Sequence, residues 1–169
     1  MMTSPLSLLY KACGVVAAGF LVMIAVLTAL SIITRLLGLS IPGLTAYAGY
    51  SMAASSFLAL AYTFGHGGHI RVSLLLGRLQ GQARRIGELW CLAAGSFFSG
   101  YLAWHAIGMV QISHKINDIS QAPDATPLWI PQIAMAFGAT VLAIAMVERL
   151  IQVARGAPVD LGDPELQQD

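Results

Sequence analysis

The sequence predicts an all-α integral membrane protein of four transmembrane helices, with both termini in the cytoplasm and an amphipathic interfacial helix between spans two and three. Two observations predict that class. Of 169 residues, 57% are hydrophobic and only 10% charged, with a mean hydropathy of +0.73, whereas soluble domains carry roughly a quarter charged residues. The apolar residues are also gathered into four runs long enough to cross about 30 Å of hydrocarbon at about 1.5 Å per residue. No water is available there to satisfy the backbone, so each run must be helical. A β-barrel is excluded, because period-2 alternation is absent.

The spans cover about 12–34, 44–65, 89–113 and 130–147. The first, Ala12 to Thr34, has no charged residue and exceeds the roughly 7 to 15 apolar residues of a signal peptide, so it reads as a retained anchor. Arg35, Gly38, Pro42 and Gly43 form a short first loop. The second run ends at His66-Gly67-Gly68-His69, and Lys115 to Pro127 makes a third loop rich in Asn, Asp, Ser and Pro. Residues 1–155 form one membrane domain, and 156–169 a short cytoplasmic tail.

Orientation follows from Lys and Arg. Lys11, Arg71, Arg78, Arg84, Arg85, Arg149 and Arg155 fall on one side, against Arg35 and Lys115 on the other. The richer side belongs in the cytoplasm.

Between spans two and three, about 71–86, Val72, Leu75, Leu76, Leu79, Ala83 and Ile86 share one helical face. Arg71, Arg78, Gln82 and Arg85 share a neighbouring one. That pattern fits a helix in the interface with arginines on lipid phosphate. Gly77 and Gly81 weaken it by about 1 kcal/mol each, and a plain amphipathic linker is the simpler alternative.

The spans have no Asp, Glu, Lys or Arg between their ends, and all seven prolines lie at or outside those ends. Ion pathways place charges in the membrane, and many transporter sites use broken helices, so the chain lacks the means to transport anything alone. His105, beside Trp104, is the mid-span ionisable residue. A haem ligand is one reading and a partnered interior histidine the commoner one. Cys13 and Cys91 have no metal-ligand spacing and read as small buried side chains. No nucleophile–base–acid set, HExxH or GxSxG occurs, so the expectation is not an enzyme, with no cofactor and no metal. No basic tract points to nucleic acid. The spans do offer small-residue stripes: Gly87, Cys91, Gly95, Ser99 and Ala103 in the third, and Gly49 and Ala53, then Ser51, Ser55 and Ala59, in the second. Such stripes let helices approach closely, within the chain or against a partner.

Over roughly Leu8 to Arg155, the sequence resembles the small membrane subunit, DctQ type, of the tripartite ATP-independent periplasmic (TRAP) transporters. Three places carry the resemblance: Arg35 with its short loop; Phe64-Gly65-His66-Gly67-Gly68-His69-Ile70-Arg71-Val72, similar to a His-Ile-x-Val signature; and Thr126-Pro127-Leu128-Trp129-Ile130-Pro131-Gln132, similar to the entry to the last span. The chain departs from the family at Thr45-Ala46-Tyr47, where a glutamate is frequent, and at Ser73, where an acid is frequent. The resemblance implies a scaffold subunit in a bacterial inner (cytoplasmic) membrane. Its partners would be a large elevator-type subunit (DctM type), a periplasmic solute-binding protein and membrane lipids, in sodium-driven uptake of a small organic anion. Arg35, His69, Arg71, Arg78, Arg85, Gly95, Ser99 and Trp129 are the candidate partner or lipid contacts. The competing reading is a haem-binding or structural membrane-anchor subunit of a respiratory complex.

The orientation has a direct test. On a background lacking Cys13 and Cys91, impermeant thiol reagents added from outside should label Ser40→Cys and Asn117→Cys and spare Arg78→Cys. The opposite pattern would invert the topology.

Overall fold

The computed structural model describes residues 5–39, 41–65 and 82–156. They form four helices: α1 (Pro5–Leu36), α2 (Leu44–Gly65), α3 (Gln82–Lys115) and α4 (Trp129–Ala154). Among the described residues there is no strand beyond one isolated antiparallel bridge, Ile119 with Pro127. The chain is therefore all-α in its described parts.

α2 coincides with the expected second span, while the other three helices overrun theirs. α1 has 32 residues and α3 has 34, about 48 and 51 Å at 1.5 Å per residue. Residues 82–86, assigned above to the interfacial helix, instead open α3 without a break. No Pro or Gly lies among them, and a helix already nucleated extends at little cost. The rest of that expected helix, from Arg71 to Gly81, lies outside the described residues. α1 over Leu8–Leu36 and α4 are each long and apolar enough to cross a membrane.

Helix ends follow local chemistry. α1 closes in a Schellman turn, with Leu39 N–H on Thr34 O at 2.9 Å, Gly38 N–H on Arg35 O at 3.2 Å, and Gly38 at φ +70°. α3 closes the same way, through Asp118 N–H on Ser113 O at 3.0 Å and Asn117 N–H on His114 O at 3.4 Å, with Asn117 left-handed at φ 51°. Pro131 falls in the first turn of α4, where no intrahelical partner is needed for its missing N–H.

α1 packs along α2, α2 along α4, and α4 along α3. The main contacts thus run in the order α1–α2–α4–α3, a row with α1 and α3 at its edges in which α1 also touches α4 through Tyr10. Its central cluster joins Tyr10, Cys13 and Ala17 of α1 to Leu58 of α2 and to Val141 and Ala145 of α4.

Beside Tyr10, Leu58, Val141, Leu142 and Val153, most of what is buried in this row is small, and many of the large side chains lie outside. Ala17, Ala54, Ala139, Ala145, Ser51, Ser55 and Ser99 are buried, while Val15, Leu21, Val22, Val26 and Ile32 of α1 and Trp90, Phe97, Phe98 and Trp104 of α3 are exposed. Among the described residues, glycines set three close approaches between helices. A Cβ at Gly138 would stand 2.5 Å from the carbonyl carbon and oxygen of Phe57; one at Gly14 would stand 2.7 Å from the Tyr62 ring, and one at Gly95 2.9 Å from Met146 Sδ. Of the two stripes read in α2, the serine one is inside and Ser55 Oγ donates to Ala17 O at 3.0 Å, whereas Gly49 faces open space. Cys13 is buried as expected, but Cys91 is exposed. Its position on α3 turns it away from α4, a choice of face that residue type alone does not make.

The α2–α4 crossing predicts an asymmetric glycine scan. Gly138→Ala meets backbone that cannot step aside and should lower stability by about 1 to 3 kcal/mol. Gly100→Ala, which meets nothing within 4 Å, should be neutral or slightly stabilising. Thermal unfolding in detergent micelles measures both, and equal effects would mean that the α2–α4 approach is looser than described.

Candidate partner and lipid contact surfaces

The sequence-predicted contact residues scatter over the row. Arg35 is exposed at the end of α1, beside the loop leading to α2. His69, Arg71 and Arg78 lie outside the described residues. Arg85, in the first turn of α3, reaches the far end of α4: its Nη2 donates to Val153 O and Ala154 O, each at 3.4 Å. There the guanidinium supplies donors and positive charge to the last carbonyls of α4, of which Val153 O also accepts from Gly156 N–H at 3.1 Å. Gly95 faces Met146 of α4 and Ser99 is buried, its Oγ donating to Ser96 O at 3.2 Å. This stripe therefore serves packing of α3 on α4 within the chain. Trp129 opens α4 with its ring edge-on to His114 of α3, centroids 5.3 Å apart and planes at 78°. That contact ties the entry of α4 to the exit of α3.

His105 differs from its expectation. It stacks on Tyr101, with centroids 4.3 Å apart, but on an exposed face of α3 rather than in the interior. Tyr101 is one helical turn away and supplies the ring contact locally. Among the described residues, no group of three or more His, Cys, Asp or Glu side chains converges on a metal-sized site.

Two polar links escaped sequence reasoning. At one end of the row, Tyr10 of α1 donates its hydroxyl to Glu148 Oε2 of α4 at 2.7 Å, and Gln152 Nε2 donates to Glu148 Oε1 at 3.2 Å. At the other end, the 116–128 loop is clamped onto α2. The Tyr50 hydroxyl donates to Ser120 Oγ at 2.7 Å and lies 3.2 Å from Asp124 Oδ2. Ser120 in turn donates to Asp124 Oδ1 at 3.4 Å, and Thr126 Oγ1 donates to Tyr47 Oη at 3.1 Å. The loop closes on itself through Ser120 N–H on Thr126 O and Leu128 N–H on Asp118 O. Gly43 is the close approach here: its φ is +90°, and a Cβ would stand 2.7 Å from Asp124 Cβ. Hydrogen bonding from Thr126, with a further contribution from Tyr50, holds the Asp124 carboxyl below the usual carboxylate range, against a smaller opposing effect of desolvation. The pairing of two tyrosines with a Ser-x-x-x-Asp-x-Thr loop was the available sequence signal. Nothing in periodicity linked residues some seventy positions apart.

The family model for tripartite ATP-independent periplasmic transporters, DctQ component, matches residues 23–156, from the middle of α1 to the end of α4. The chain is also similar to the C4-dicarboxylate TRAP transporter small permease protein DctQ of Rhodobacter capsulatus, at 31% identity over 97 residues. That stretch is 57% of this chain and 40% of the relative's length. No solved structure matches the chain significantly. With a family model covering all four helices at least in part, the chain belongs to the DctQ component family of the tripartite ATP-independent periplasmic transporters.

Proposed function

We propose that this chain is the scaffold subunit of a TRAP secondary transporter, crossing the membrane four times with both termini in the cytoplasm. It supports a large elevator-type subunit of the DctM type and helps dock a periplasmic solute-binding protein, for sodium-driven uptake of a small organic anion. It is not an enzyme, and it binds neither solute nor ion itself. Family membership supports the transporter context. The observation that carries the scaffold role is the row of helices: among the described residues its buried positions hold no Asp, Glu, Lys, Arg or His, and no described helix is broken. A moving carrier needs a fixed wall to move against, and a row joined by backbone-close contacts suits that task.

The clamped loop 116–128 is the docking element for the binding protein. Cross-links from Tyr47 and Tyr50 to Thr126, Ser120 and Asp124 hold its backbone in one arrangement before a partner arrives. Preorganisation of this kind lowers the entropic cost of association.

Two measurements test the reading. In proteoliposomes holding the whole complex, Gly138→Leu should abolish uptake together with assembly. His105→Gln should leave sodium dependence and solute affinity unchanged, and a shifted sodium dependence would overturn the scaffold role. The loop gives a pH signature. Asp124 titrates below its unfolded value, so its ionised form supports the clamp at neutral pH and that support disappears as pH falls through the lowered value. Binding-protein affinity for reconstituted complexes should therefore weaken on acidification, and Asp124→Asn should flatten the profile. An unaltered profile would remove the loop from docking.

A further inference from the structure

A groove of about 400 Å³ lies between the end of α1 and the start of α2. That volume falls in the range of small-molecule sites, roughly 300 to 1,000 Å³. Leu27 and Ile32 of α1 and Leu44 and Ala48 of α2 make its apolar walls, Ser31 and Thr45 add hydroxyls, and Arg35 stands at its mouth. Leu27 and Arg35 are eight positions apart, about 12 Å along a helix. The groove thus runs from the charged end of α1 down into the stretch that crosses hydrocarbon.

Nothing in the described chain closes it: Ile32 is 57% and Leu36 81% exposed. Nor do the described residues supply an anion. The first acidic residue of the whole sequence is Glu88, so neither α1, α2 nor the loop between them holds a carboxylate. Of the two acids in the loop across from it, Asp124 is engaged by Tyr50 and Ser120, and Asp118 lies beyond the reach of an ion pair with Arg35. An arginine at the membrane boundary, at the head of an apolar trough and without an internal counter-charge, matches one chemistry: a phosphate joined to a hydrocarbon chain. We propose that this groove binds an anionic phospholipid, with the headgroup phosphate on Arg35 and one acyl chain between α1 and α2. The occupant extends the α1–α2 wall where the two helices diverge. The proposal requires only that the chain reside in a bilayer and is independent of the transport role.

The test uses the purified full-length chain in detergent micelles, titrated with phosphatidylglycerol carrying a spin label on its acyl chain. Electron paramagnetic resonance reads the immobilised fraction. The unaltered chain should show a saturable immobilised component that millimolar inorganic phosphate does not displace. Arg35→Gln, at an exposed position, should weaken binding about fivefold, as expected for one basic residue at an anionic surface. Ala48→Phe, which fills the trough, should remove the immobilised component, and if that variant fails to fold, Arg35→Gln decides alone. Equal binding by Arg35→Gln and the unaltered chain would overturn the proposal. So would cross-linking of Thr45→Cys to a protein helix, rather than to lipid, in the assembled complex.

Discussion

Everything in this fold depends on close backbone approach between helices whose outer surfaces are apolar. Where the solvent is hydrocarbon, burying a leucine gains little, because the lipid is as apolar as the core. Association must come from dispersion between atoms brought near, and from hydrogen bonds that have no competing water. The chain meets that demand with Gly138 against the backbone of Phe57, Gly14 under Tyr62, and Gly95 under Met146. Large side chains are left at the surface, where apolar groups face lipid at no loss.

Polar groups then fix what packing alone would leave free to slide. Ser55 donating to Ala17 O sets the register of α2 against α1 near their middle. Tyr10 with Glu148 ties α1 to α4 at one end, and Arg85 on the terminal carbonyls of α4 ties α3 to it there. The tyrosine clamp on the 116–128 loop does the same at the opposite end. Rotation of one helix about its axis would break at least one of these links. The row is thereby held as a unit.

The arrangement also separates roles by position. The Ser51–Ser55 and Gly95–Ser99 pairs are consumed inside the chain, whereas Gly49 of α2 faces open space and Cys91 of α3 is exposed. α1 presents aliphatic side chains and the Arg35 groove, while α3 presents Trp90, Phe97, Phe98, Trp104 and the Tyr101–His105 stack. The two edges of the row thus differ in chemistry.

The sequence by itself determined that the chain is helical, where α2 begins and ends, and which family it resembles. Length of apolar runs, absence of mid-span charge and ordered local motifs are all properties of contiguous residues. The C-terminal ends of α1 and α3 were nearly legible for the same reason, since Gly38 and Asn117 terminate them through bonds made within six residues, whereas the starts of those helices and the end of α4 overran the expected spans. What only the tertiary structure decided were the pairings: that Ser55 and not Gly49 lies inside, that Gly95 and Ser99 pack on α4, that Cys91 and His105 face outward, and that Arg85 caps α4. A stripe of small residues has the same spacing whether it meets its own chain or another. The choice between them is made by which helices become neighbours, and that depends on contacts between residues tens of positions apart, which no local pattern encodes.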